Sequence, residues 1–385
     1  MSPASIRGDI SPFHGVGINR LANARARRGL PVIHMEVGQP TARAPAAALA
    51  AARRALEGDT LGYWESEALK ERIAAHYVEW YGVGIDPQRV VLTAGASGAL
   101  VLAFMLLCRP GDRVALARPG YPAYRNTLRA LHIEPLELPC GPETRYQPTA
   151  AMIEALDPAP TALIVASPAN PTGTMLDRAE LESLAAVCRE RGIRLISDEI
   201  YHGITYGQRA VSALETGDEA FVIESFSKYW CMPGWRLGWA VVPPSFVEPM
   251  NRVSGNVYLS VSSPAQHAAL AAMDAREELA ANLPVYAANR QLLIDALPRL
   301  GITRWAPADG AFYLYCDVGH LTQDSLAFCH RLLADTGVAL NTGFDFDAVE
   351  GGRWVRLSFA VSTDETRRAV ELISGWLAEG GHERT

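Results

Sequence analysis

A chain of 385 residues exceeds the size at which one hydrophobic core keeps growing, so a body with two lobes is expected rather than a small single domain. With 49% apolar and 20% charged residues, the composition argues against disorder, and a net charge of −7 argues against the excess of Lys and Arg that nucleic-acid binding demands. The six cysteines (Cys108, Cys140, Cys188, Cys231, Cys316 and Cys329) show no CxxC pairing, so buried free thiols are expected, with no metal site and no disulfide framework.

The opening "MSPASIRGDISPFHG" lacks the continuous apolar core of a signal peptide. The most apolar run, "ALVLAFMLLC" at 99–108, is much shorter than the roughly 20 residues of a membrane span, so a cytoplasmic protein without membrane contact is expected. Alanine-rich "APAAALAAARRAL" (44–56) reads as a helix. Short apolar, β-branched runs follow at 89–95, 112–117, 161–167, 193–199, 220–226 and 237–243, and most read as strands buried on both faces. Helix-length segments lie between many of them, such as "DRAELESLAAVCRERG" (177–192), ending at Gly192. This alternation predicts a wound α/β sheet, mostly parallel.

From Pro264 to Gly301 the pattern is helical, with Pro284 expected to kink or divide it. Strands "AFYLYCDV" (311–318), "VALNT" (338–342) and "WVRLSFA" (354–360), separated by helical "LTQDSLAFCHRLLADTG", then predict a smaller α+β lobe. The polar "GGHERT" at the end reads as a frayed tail.

Functional groups of such sheets sit at the carboxyl ends of the strands, so the segments after each strand belong together. "TAGASGAL" offers small residues, free helix N–H groups and the Ser97 hydroxyl to an anion, although a tight strand-to-helix turn explains it too. "RPGYPAYR" places Tyr121 at the mouth of the sheet, and the prolines around Asn170 in "SPANPTG" hold its amide in one direction; a structural tyrosine and a turn-forming asparagine are the plain alternatives. Asp198 ends an apolar strand, where a carboxylate calls for a positive partner, unless it only caps a following helix. Tyr201 lies three residues on, one helical turn away. In "SFSKYWCMPGWRLGW", Lys228 reaches the same cleft, and burial near other cations would make it a nucleophile toward carbonyls. Ser225 and Arg236 beside it suit a phosphate dianion, with apolar residues between the two cations excluding water from both.

"SPANPTG", "SDEIY", "SFSK…MPGWRLG" and "VRLSFA", in this order and at these separations over nearly the whole chain, resemble the class I and II aminotransferases of fold type I, which depend on pyridoxal 5′-phosphate. The resemblance implies a mostly parallel seven-stranded sheet wrapped by helices. It implies a large cofactor-binding domain over 46–284, a small domain from 1–45 and 285–385, and a homodimer with active sites shared at the interface. Lys228 would hold the cofactor aldehyde as an internal aldimine and move protons. Asp198 would face the pyridine nitrogen, Asn170 and Tyr201 the phenolic oxygen, and Tyr121 the ring. Ala96 through its backbone, Ser97, Ser225 and Arg236 would hold the phosphate, and Tyr63 would reach the phosphate of the neighbouring subunit. Gly38 of "MEVGQPT" and Arg356 would bind the substrate carboxylate, implying an L-amino acid and a 2-oxo acid exchanging nitrogen in ping-pong half-reactions.

The chain departs from the family pattern at "LGYWESEALKERI", about two residues short and lacking the usual glycine, at "MPGWR" for the usual "MTGWR", and at "LNTGFDF". A carbon–sulfur β-lyase shares the lysine and the fold, but intact "NPTG", "DEIY" and "GWR" favour transamination. A regulator fused to a DNA-binding domain is disfavoured by the 37 residues before Gly38 and the acidic charge, and a non-catalytic scaffold by the presence of Lys228 and Asp198. The stretch "NVYLSVSSPAQ" (256–266) lacks the second arginine that some dicarboxylate-specific members place there, which points to neutral or aromatic amino acids.

Overall fold

The structure is a computed structural model that describes residues 6–8 and 10–383. Its strands are β1 (Ile33–His34), β2 (Val90–Thr93), β3 (Arg113–Arg118), β4 (Glu134–Pro139), β5 (Ala162–Ala166), β6 (Arg194–Asp198), β7 (Phe221–Ser225), β8 (Gly238–Val241), β9 (Tyr313–Asp317), β10 (Val338–Ala339), β11 (Asn341–Thr342) and β12 (Trp354–Ser358). Seven form the large sheet in the order β2-β8-β7-β6-β5-β3-β4, with β8 antiparallel to both neighbours and the remaining pairs parallel. The antiparallel register pairs Gly238 with Thr93 and with Ser225, so β8 begins at the edge where β2 and β7 end. Arg236 therefore joins the strand-end residues although it precedes its strand.

Six of the seven strands are legible as apolar runs. The seventh, β4, "EPLELP", hides because two prolines and two glutamates break its apolar pattern, which an edge strand tolerates. The helix expected at 177–192 forms over Arg178–Glu190, where Asp177 and Glu180 close a reciprocal capping box with both bonds at 2.8 Å.

The reading of 264–301 needs correction. Three helices occupy it, Ser263–Ala272, Arg276–Ala280 and Asn282–Ala296, and the first break falls at 273–275. Pro284 sits in the first turn of the third helix, where a missing N–H breaks no intrahelical bond.

The second lobe carries an antiparallel sheet β11-β12-β9 and a parallel pair β1-β10. The single strand expected over "VALNT" is two, because β10 pairs with β1 and β11 with β12, the chain changing partner at Leu340. The tail also differs: Gly381 N–H bonds back to Trp376 O at 2.9 Å and His382 O accepts from Arg331, while the last two residues lie outside the described ones. All six cysteines are free, five of them buried.

The buried core runs along both faces of the large sheet. Trp239 in β8 is fully buried, its ring centroid 5.0 Å from that of Phe226 and its indole N–H donating to Tyr77 Oη at 3.2 Å. Trp239→Ala removes this packing directly beneath the loop bearing Lys228. Urea denaturation should read a loss of about 3–5 kcal/mol; a loss below about 1 kcal/mol would show that the sheet does not depend on it.

Candidate active site

A cavity of about 450 Å³ opens where the carboxyl ends of β2, β5, β6 and β7 meet the second lobe. Its lining includes Gly38, Ala96, Ser97, Tyr121, Asn170, Asp198, Tyr201, Ser225, Lys228, Arg236 and Arg356, so all but one of the expected site residues converge there. The exception is Tyr63, which is 83% exposed and stands outside the cavity.

Lys228 follows β7, and its Nζ donates to Gly38 O at 2.5 Å and lies 5.5 Å from the centre of the Tyr201 ring. Burial, reinforced by the positive charges of Arg356 and Arg236 and opposed by Asp198, lowers its pKa from 10.5 to about 8. A fraction of the amine is thus neutral near neutral pH, as a nucleophile requires. Gly38 is obligatory here, because a Cβ on it would sit 2.0 Å from Tyr313 Oη.

Asp198, at the end of β6, is buried, and burial raises its pKa from 3.8 to about 6 against the pull of its hydrogen bonds and of Lys228. Among the described residues it has no ion-pair partner. Within the chain, Tyr124 donates its hydroxyl to Oδ2 and Ile200 N–H bonds Oδ1 at 3.3 Å. Residues 199–203 turn without forming a helix, so Asp198 caps none. Tyr201, in that turn rather than on a helix, exchanges a 2.7 Å hydroxyl bond with Tyr313.

An anion cradle forms at the start of the helix Gly95–Leu107, whose first N–H groups have no partner within the helix. Gly95 adopts φ +68° and a Cβ on it would meet Arg236 Nη2 at 2.6 Å, so the missing side chain lets the guanidinium lie across this helix end. Ser225 Oγ donates to Ser227 Oγ at 2.8 Å on the opposite side. Arg236 is exposed, which corrects the expectation that water is excluded from it. The proline of "MPGWR" opens the short 3₁₀ turn Pro233–Trp235, and its carbonyl accepts from Arg236 Nη1 at 3.0 Å.

Arg356, in β12, is buried and ties the two lobes together. Its Nη1 donates to Asn170 Oδ1 at 2.9 Å and its Nη2 to Glu36 O at 2.6 Å, with Tyr313 and Phe346 rings 4.3 and 4.9 Å from the guanidinium carbon. Its Nε has no hydrogen-bond partner among the described residues.

The profile of the family described as "Aminotransferase class I and II" matches residues 31–373. The chain belongs to this family. Its fold is fold type I. The aminotransferase is 45% identical to a valine–pyruvate aminotransferase of Mycobacterium tuberculosis over 97% of its own length and 98% of that protein's. A crystal structure of an aminotransferase from the same organism superposes with a TM-score of 0.96 at 44% identity, over 98% of this chain and all of that one. Thermus thermophilus aspartate aminotransferase, solved with maleate, gives a TM-score of 0.89 at 29% identity, over 97% and 100%.

Among the cavity residues that escaped the sequence reading are Tyr124, Ser227, Tyr313 and Glu36. Tyr124 stands one helical turn after Tyr121, and Ser227 two residues after Ser225, so local spacing carried a signal for both. No local signal marks Tyr313, which meets Tyr201 across 112 residues.

The lowered pKa of Lys228 has a stability consequence of definite sign. Between pH about 8 and 10.5 the unfolded chain takes up a proton that the native amine does not, so native stability rises with pH across that window. Below pH about 8 the native state carries the full penalty. Ligand-free Lys228→Met should therefore melt above the parent at pH 7, with the gap closing toward pH 10.5. A Met variant that melts lower at pH 7 would contradict the desolvation of this lysine.

Proposed function

We propose that the cavity binds pyridoxal 5′-phosphate and that the enzyme moves the amino group of an L-amino acid to a 2-oxo acid through Lys228. The observation that carries this reading is the pairing of an amine of lowered pKa with a buried carboxylate of raised pKa in one cleft, beside a helix terminus crossed by an arginine. The residues fit the cofactor chemically. Ala96 and Ser97 with Ser225, Ser227 and Arg236 suit its phosphate, and Asp198 suits a protonated pyridine nitrogen, a cation that would relieve the desolvation of the carboxylate. Tyr201 and Asn170 suit the phenolic oxygen, and Tyr121 the ring face. When bound, the cofactor supplies an electrophilic aldehyde and a ring that withdraws electrons from the substrate's α-carbon.

Lys228 Nζ, neutral in part near neutral pH, takes the proton from that carbon and returns it elsewhere. Arg356 binds the substrate α-carboxylate, its unpartnered Nε retaining a donor, while Gly38 lets the backbone approach closely. Tyr124 orients Asp198 by its hydroxyl bond.

The same reading extends to a homodimer in the cytoplasm. Exposed Tyr63 and exposed Arg236 at the cavity mouth suit an interface in which each subunit's tyrosine reaches the other's phosphate. No helix among the described residues is long and apolar enough to cross a membrane. A large domain over 46–284 is supported by the large sheet lying wholly inside those bounds, while β1 and β9 to β12 lie outside them.

Lys228→Ala should retain the cofactor noncovalently yet lose turnover with every amino donor; near-normal turnover would sink the reading. Arg356→Ala should lower kcat/KM for amino acids by about 2–5 kcal/mol of transition-state binding, without loss of cofactor absorbance. Incubation with L-cystathionine and no 2-oxo acid separates the β-lyase alternative, since steady pyruvate release would favour it.

A further inference from the structure

Five side chains lining the cavity carry formal charge: Lys228, Arg236, Arg356, Asp198 and Glu36. Four have duties above, and the three cations are all taken. The fifth is an acid. Glu36 follows β1, and its side chain is wholly buried. Its Oε1 accepts from Asn19 Nδ2 at 2.8 Å and faces His34 Nδ1 at 2.8 Å, whereas Oε2 has no partner. The bond to Oε1 raises the pKa of His34, so a protonated imidazole pairs with that oxygen, but from a side chain that is 36% exposed, and it leaves Oε2 untouched. The backbone carbonyl of the same residue anchors Arg356 Nη2, so the acid belongs to the wall beside the carboxylate clamp.

We propose that Glu36 is a specificity-determining residue that keeps a second carboxylate out, restricting both half-reactions to amino acids and 2-oxo acids with a single carboxylate. The proposal rests on the reading of Arg356 as the clamp for the first carboxylate. A substrate with a carboxylate on its side chain would bring that charge to a wall whose cations, among the described residues, already have duties, and which holds a carboxylate with one unpartnered oxygen. Like charges in a desolvated site are a strong means of rejecting the wrong ligand. Asn19, Asn341, Val16 and Phe13 complete the wall and suit an uncharged side chain.

The test compares the cofactor-loaded parent, Glu36→Gln and Glu36→Asp. The readouts are kcat/KM for L-valine, L-alanine, L-aspartate and L-glutamate, and the dissociation constant of the unreactive dicarboxylate maleate. Glu36→Gln keeps the acceptor for Asn19 and removes the charge. It should raise the aspartate-to-valine ratio of kcat/KM at least about tenfold and tighten maleate by a similar factor, while Glu36→Asp leaves the ratio near that of the parent. Melting temperatures establish that the variants are folded, and maleate binding reads specificity without requiring turnover. A ratio that does not move in Glu36→Gln, or a parent that already accepts aspartate as well as valine, overturns the proposal. If Arg356→Ala leaves kcat/KM for valine unchanged, the clamp reading fails instead, whatever Glu36 does.

Discussion

The removal of Lys228 and Asp198 from water is the constraint on which the site depends. Burial opposes the charge of each, which is why the amine titrates low and the carboxylate high. Neither group is neutralised by a contact ion pair, so the fold holds them in place by other means. Asp198 ends a strand flanked by β5 and β7, and Lys228 stands three residues beyond β7, in a turn packed on Phe226 and Trp230. Parallel strands buried on both faces deliver these side chains to one edge, and the apolar sheet beneath resists the relaxation that would rehydrate them.

The cleft is also a joint between lobes. Asn170 comes from the loop after β5, Glu36 from the segment after β1 and Arg356 from β12, yet one guanidinium bonds both of the others. Tyr313 of β9 bonds Tyr201 of the large-sheet side, and Gly38 passes so close to Tyr313 that a methyl group would not fit. A change in any of these contacts shifts Arg356 relative to Lys228. Under the proposed function, substrate orientation is therefore a property of the interface between two sheets rather than of either alone.

How far the molecule is legible from its sequence follows from the range of the interactions involved. Apolar runs ending in Asp198, Ser225 and Thr93 announce strands and put their chemistry at one edge, because both signals are local. Arg236 shows where locality fails: its spacing from Lys228 is evident, but its exposure depends on what packs over the loop, and among the described residues it stays exposed. Tyr124 lies 74 residues from the carboxylate it bonds, so only the fold reveals that partner. Leu340 likewise gives no sign that the chain changes sheets on either side of it.

The two functions of Glu36 show how one residue shapes a binding site through separate atoms. Its carbonyl, a neutral dipole, helps aim Arg356, and its carboxylate sets the potential of the wall nearby. Under the proposed function these effects act on opposite ends of an amino acid: the first serves the α-carboxylate, the second limits what the rest of the molecule can carry. Because Arg356 is held by the carbonyl and not by the carboxylate, a side-chain change at position 36 alters the charge of the wall without removing the acceptor of that bond. The discrimination then needs no cation that reads the side chain, only an anion whose second oxygen lacks a partner among the described residues.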